Sequence, residues 1–265
     1  MNSLFIVMEN IIYNILYIII YSFLGWCCEV IYCYIIDHKF TNRGFLNGPL
    51  CPVYGFGAFF VLTFLDMYKS NVILVFILGI IITSVLEYIT SFLLEAIFHT
   101  KWWDYSKHKF NIHGRVCLLN STLFGILSVV LVEFINPIIV DFVSKFPEKI
   151  VFIVTIILTA IIAIDFVVTV QAMIKLNSKL HSLQDLSKEF EEFGISFIDK
   201  TEKELELTMS KFKRESNLKE EMLNRAKYLR RNNILQRRLL KAFPNMKHKR
   251  YNELLQKLRK EDKLK

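Results

Sequence analysis

Residues 1–38 contain no lysine or arginine. That absence argues against a cleavable secretory leader, which needs a basic segment ahead of its apolar run, so the first apolar segment is expected to stay in the protein. No GxxxxGK[ST] stretch occurs, which excludes a phosphate-cradling loop of the P-loop kind: a pump built on this chain needs a separate ATPase. The five cysteines (Cys27, Cys28, Cys33, Cys51, Cys117) form no CxxC pair. Neither a structural zinc site nor a secreted disulfide framework follows, and they read as small apolar residues. Glycine (9) and proline (5) are scarce in 265 residues, so little punctuates the chain. Four of those glycines and two of the prolines crowd into one stretch, "FTNRGFLNGPLCPVYGFGA", at residues 40–58.

What is present is apolar and basic in separate places. The chain is 53% hydrophobic with 23 phenylalanines and mean hydropathy +0.36, yet carries a net charge of +8. A soluble domain of this size does not carry that apolar load. The segment from Lys175 to Lys265 holds 24 Lys+Arg against 14 Asp+Glu, and residues 1–174 hold 9 against 11. The sequence therefore predicts an all-α polytopic membrane protein: a transmembrane domain over 1–174 and a basic, helical cytoplasmic tail over 175–265.

A helix crossing about 30 Å of hydrocarbon needs about 20 apolar residues. Four segments meet that length, at about 11–36, 72–98, 116–136 and 150–174. A fifth, about 50–66, is shorter: its run from Pro52 to Asp66 covers about 22 Å as a helix, so it begins at Pro49, thins the bilayer or is partly re-entrant. Five crossings put the termini on opposite sides. The base-free start and the basic tail then place the N-terminus outside and the C-terminus in the cytoplasm of a plasma-membrane protein. Among the loops, Lys39, Arg43, Lys101, Lys107, Lys109 and Arg115 fall inside, and Lys69, Lys145 and Lys149 outside. The punctuated stretch is then the cytoplasmic junction of the first two helices, where Pro49 and Pro52 suit a first helical turn.

Ionisable groups within a membrane helix cost about 2.5–3.5 kcal/mol each, so each calls for a partner, water or a proton. Glu29 lies about 10 Å and Glu87 about 16 Å from the nearest helix end, too deep for a short acid to snorkel. Asp165 is similarly interior, whereas Glu95 and Glu133 lie near helix ends. Thr83, Glu87, Ser91 and Glu95 recur at i+4, making a polar stripe supplemented by Ser84 and Thr90. The fourth helix offers Asn120, Ser121, Thr122 and Gly125 as small or polar interface groups. Arg43 and Arg115 are the natural counter-charges, since a planar guanidinium can grip a carboxylate through two hydrogen bonds. The polar cluster reads either as a cavity for a cation, proton or amine, or as an ion-pair network that locks helices together.

In the second cytoplasmic loop, Trp102, Trp103 and Tyr105 suit a headgroup region and Lys101, Lys107 and Lys109 suit anionic lipid. His99, His108 and His113 are spaced unlike metal ligands, so no metal and no cofactor is expected. In the tail, Leu176, Leu183, Leu186, Phe190, Phe193 and Phe197 follow approximate 3,4 spacing, interrupted at Lys179 and Gly194, as in a short coiled coil or an amphipathic docking helix. Residues 225–251 hold 10 Lys+Arg and no acid. A basic run anchored at a bilayer suits anionic headgroups first, a protein partner next and nucleic acid last. Pro244 ends one helix and precedes a short final one.

The segments "FLGWCCEVIY", "NRGFLNGPLCPVYGFGA", "WWDYS" and "FNIHGRVCL", in this order, resemble the putative ABC-transporter type IV family (CmpB-type integral membrane proteins) over residues 14–172. The family's motif positions fall on Gly25, Trp26, Glu29, Asn42, Arg43, Gly44, Gly48, Pro49, Pro52, Tyr54, Gly55, Trp102, Trp103, Asp104, Tyr105, Gly114 and Arg115. His113 departs from the asparagine more usual there. The resemblance implies an ABC-permease-like membrane component; a separate ATPase subunit and a second copy of the chain are candidate partners. Two other classes stay open on the residues alone: a membrane scaffold or sensor whose tail recruits a partner, and an intramembrane enzyme using Glu87. The lack of a paired nucleophile and base or a metal motif places the enzyme last, so the chain reads as a non-enzyme.

Overall fold

Long apolar runs with few breakers become long helices, because only a helix satisfies its own backbone where water is absent. The computed structural model describes residues 2–38, 40–192, 200, 202–210 and 216–263. Lys39, Phe193, Gly194 and Phe197, on which parts of the loop charge and tail pattern rest, lie outside these.

Helix α1 spans Asn2–Asp37, α2 Pro52–Leu65 and α3 Val72–Phe98. Helix α4, Leu118–Val130, passes through a π turn at Leu131–Ile135 into α5, Asn136–Ser144. Pro137 explains the turn: its ring collides with the carbonyl four residues back, and a wider turn makes room without ending the helix. The fourth apolar segment thus runs from 118 to 144 rather than stopping at 136. Helix α6, Glu148–Glu192, is 45 residues long. The segment expected over 150–174 and the first helix of the tail are one rod, because nothing near Lys175 breaks a helix while the apolar spacing continues. Among the described residues, four helices are long and apolar enough to cross a membrane, and the stretch Pro52–Tyr68 is apolar but shorter.

Two close crossings hold the apolar body together. Helices α1 and α2 meet where Gly25 faces the Tyr54 ring and Gly55 faces the Ser22 hydroxyl and the Ile18 carbonyl, leaving no room for a Cβ at either glycine. Helices α3 and α4 meet at Gly79, Gly125 and Ser128, and Ser84 donates to Ser121 at 2.7 Å. Small residues serve here because lipid gives no hydrophobic drive between helices, and close packing has to supply the attraction. The exposed faces carry Ile77, Ile81, Ile89, Ile153, Ile157 and Ile164, as a lipid-facing surface requires.

The tail is a folded unit built on the end of α6. Helices α7 (Glu202–Ser210), α8 (Ser216–Arg230), α9 (Ile234–Ala242) and α10 (Asn252–Lys263) surround it. Leu176, Leu180, Leu183, Leu186 and Phe190 of α6 are buried with Met222, Leu239, Leu240, Leu254 and Leu258. Phe98 and Trp102 join the same core, so loop and tail share one apolar interior. Short antiparallel pairs tie it further: β1 (Thr100–Lys101) to β4 (Lys247–His248), and, within the second loop, β2 (Asn111–Ile112) to β3 (Val116–Cys117).

Candidate functional site: a sealed loop over a buried acid pair

The stretch between α1 and α2 is irregular, so each of its backbone groups needs a partner wherever water is excluded. Asp165 of α6 supplies the largest share. Its Oδ1 accepts from the Asn47 amide at 3.0 Å and from Asn47 Nδ2 at 2.8 Å, and its Oδ2 accepts from the Gly48 amide at 2.7 Å. Thr169, one turn on, accepts from Asn47 Nδ2 at 2.9 Å and donates to Asp165 at 3.2 Å. The Cys51 amide donates to the Ser22 carbonyl at 2.9 Å, and the Leu50 amide to the Gly48 carbonyl at 2.8 Å. Trp26 donates to Asn42 at 2.7 Å, and Asn42 in turn to the Asn47 carbonyl at 2.8 Å. From the tail, Arg238 of α9 reaches the Gly44 and Phe45 carbonyls at 3.1 and 2.8 Å. Gly44 has φ +145°, and a Cβ there would press on the Leu50 carbonyl, so this turn requires glycine.

Beside the loop sit Glu29, half-buried, and Glu87, buried. Glu29 accepts from the Tyr54 hydroxyl at 2.7 Å and faces Arg43 Nη1 at 3.8 Å, so Arg43 compensates Glu29 as the counter-charge argument requires. Glu87 is only 8% exposed, and its Oε2 is buried without a hydrogen-bond partner. The Tyr105 hydroxyl serves the Glu87 carboxyl, and Glu29 lies close enough to repel it. Burial, with Glu87 and then Glu29 adding to it, raises the Tyr105 phenol well above its ordinary value, which keeps it a donor.

Arg115 serves another acid, pairing with Glu95 at 2.7 Å, bonding Ser91 at 3.1 Å and lying over the Tyr88 and Phe92 rings. The polar stripe on α3 is therefore divided. Thr83 bonds back to Gly79, Ser84 bridges to α4, Glu87 faces the loop side and Ser91 with Glu95 hold Arg115. Of the α4 interface candidates, Ser121 and Gly125 face α3, while Thr122 bonds the Leu118 carbonyl of its own helix. Glu133 lies in the π turn, apart from both clusters, with a buried Oε1 lacking a partner.

The aromatic loop is not a headgroup belt. Trp102 is 2% exposed and packs edge-on against Phe243 of the tail and Phe45 of the sealed loop. Trp103 donates to the Arg115 carbonyl at 2.9 Å, and Tyr105 turns toward Glu87. The Tyr105 amide donates to Gly114, whose positive φ closes that turn. Lys101 pairs with Asp104 at 3.1 Å instead of facing lipid, and Lys247 of the tail reaches the same carboxylate at 2.7 Å. Burial works to raise the Asp104 carboxyl, but hydrogen bonds from Lys247, Ser106 and Lys101 together outweigh it and hold it far below the usual carboxylate range. The exposed residues of this loop include Lys107, His108, Lys109, Phe110, Ile112 and His113. Pro49 lies exposed at the loop, and Pro52 opens α2 where a missing amide hydrogen costs nothing.

Sequence reasoning missed the grip of Asp165 on residues 47 and 48, and the reach of Arg238 to the same loop. Positions 118 and about 190 residues apart leave no local signal of contact. Among the described residues no group of three or more His, Cys, Asp or Glu could hold a metal ion.

No curated protein and no solved structure matches this chain. A family sequence pattern matches residues 16–170, which is more than half of the chain and includes every residue that seals the loop except Arg238. The chain belongs to the family described as putative ABC-transporter type IV.

Proposed function

We propose that the protein is a transport subunit of the plasma membrane with five crossings, its N-terminus outside and its C-terminus in the cytoplasm, energised by a separate ATPase. The observation that carries this reading is the acid pair of half-buried Glu29 and buried Glu87 beside a loop held by Asp165 and Arg238, within a family of transporter type. Intramembrane acids are costly and mark ion or substrate paths. Helix α2, 14 residues or about 21 Å long, falls short of the hydrocarbon thickness. The fifth crossing is then completed by the loop, whose backbone is tolerated at depth because protein groups satisfy it.

A scaffold or sensor is the second reading, and the tail surface favours it. Tyr228 and Ile234 are exposed there beside exposed Arg231 and Lys241, an apolar and basic surface suited to anionic headgroups or a protein partner. Several other tail bases are committed internally: Arg225 pairs with Glu189 at 3.0 Å, and Arg259 donates to the Pro244 and Phe243 carbonyls at 2.7 and 3.0 Å.

Purification of the full chain from native membranes in mild detergent separates the two readings. An ATPase subunit recovered in constant ratio is the expected result. Recovery of a regulator or envelope enzyme with no ATPase contradicts the transport reading and supports the scaffold.

A further inference from the structure

The charges around the acid pair do not balance, and the imbalance identifies what the site holds. Arg43 is the cation facing Glu29, and Arg115 is spent on Glu95. No Lys or Arg among the described residues lies within ion-pair distance of Glu87. The groups that act on Glu87 are Glu29 on α1 and the Tyr105 hydroxyl in the second loop; Tyr54, Cys51 and the Arg43 guanidinium lie around Glu29, and Cys117 of β3 lies by Tyr105. A carboxylate buried with one orphaned oxygen and a second carboxylate as neighbour is unstable as an anion.

We propose that Glu87 is a proton-binding site, carrying one proton on its carboxyl group while Glu29 keeps its ion pair with Arg43 and its hydrogen bond from Tyr54. The proton is exchanged with solvent: the O–H bond on Glu87 forms as a hydronium O–H bond breaks and releases water, and when Glu87 ionises the proton passes back to water as hydronium. Glu29 and Tyr54 line the same space, so ionisation of Glu87 places two carboxylates against a single arginine. The site then repels itself, and its net charge becomes −1, ready for a cation. The burial of Glu87, its orphaned oxygen and the missing counter-charge are the same whether or not an ATPase partner exists.

Infrared spectroscopy on the full chain in detergent tests it. At neutral pH the wild type is expected to show a protonated-carboxyl carbonyl band that shifts in heavy water. The band should survive Glu29→Gln and vanish in Glu87→Gln. The second variant should fold with wild-type thermal stability, because an amide is the nearest analogue of a neutral carboxylic acid. Loss of folding in Glu87→Gln contradicts the proposal. So does a band that survives that substitution or is absent from the wild type. Independently of any variant, isotope-labelled glutamate in the wild type must move the band, and raising the pH must abolish it. If instead no band is present and added sodium or methylammonium raises the melting temperature, the charge belongs to a cation and the proton site is wrong.

Discussion

Replacing Asp165 with alanine is expected to cost on the order of 3–6 kcal/mol of stability. The substitution strands the amides of Asn47 and Gly48, which donate to that carboxylate, and leaves Asn47 Nδ2 with Thr169 as its remaining acceptor. Each orphaned buried donor costs about 1–3 kcal/mol, and donors to a charged acceptor sit at the upper end of the range. Thr169 also loses the acceptor of its hydroxyl, although it keeps Asn47 Nδ2 as a donor to it. Asp165→Asn keeps one carbonyl acceptor in place, so it should lose roughly half as much. Thermal melting in detergent reads both variants. A melt for Asp165→Ala within error of the wild type means that the loop finds its partners elsewhere.

The crossing of α1 and α2 carries the second large effect. A Cβ at Gly55 would overlap the Ser22 hydroxyl and the Ile18 carbonyl. A hydroxyl can rotate away, but a helix backbone cannot, so the two helices must separate. Overpacking typically costs about 1–3 kcal/mol, and a backbone obstacle pushes the cost to the top of that range or beyond. Gly57→Ala is the matched control. Its Cβ would meet Leu86 Cδ2 at 3.6 Å, an ordinary contact, so its stability should stay within about 0.5 kcal/mol of the wild type. Gly55→Ala is expected to lower the folded yield and melting temperature sharply while Gly57→Ala changes neither. Equal behaviour of the two would refute the close crossing.

Both sites show what a sequence can and cannot reveal. The apolar runs and the i+4 stripe through Glu87 are local patterns, and hydropathy with helical period is enough to read them. Helix ends are less legible. Hydropathy falls at Lys175, but the backbone of α6 continues to Glu192 because Leu176, Leu180 and Leu183 find a core in the tail. Pro137 signals a break that the π turn absorbs. Trp102 matches a membrane-interface residue by composition, and only the tail's arrival with Phe243 makes it a core residue. Arg238 sits in a run of bases with nothing to single it out, yet its guanidinium donates to two loop carbonyls that a carboxylate, being an acceptor, cannot satisfy. Tyr54 and Tyr105, motif positions on the resemblance, become partners of Glu29 and Glu87 only once four separate segments converge.

Residues 40–51 form a loop gripped by Asp165 of α6 and by Arg238 of the tail, next to Glu29 and Glu87. Amide hydrogen exchange on the full chain in nanodiscs tests this most directly. The amides of Asn47, Gly48 and Cys51 should exchange as slowly as those of the neighbouring helices in the wild type. Those of Asn47 and Gly48 should lose protection in Asp165→Ala, and the whole segment should loosen in Arg238→Ala. Exchange of these amides in the wild type at the rate of an open loop would contradict the account.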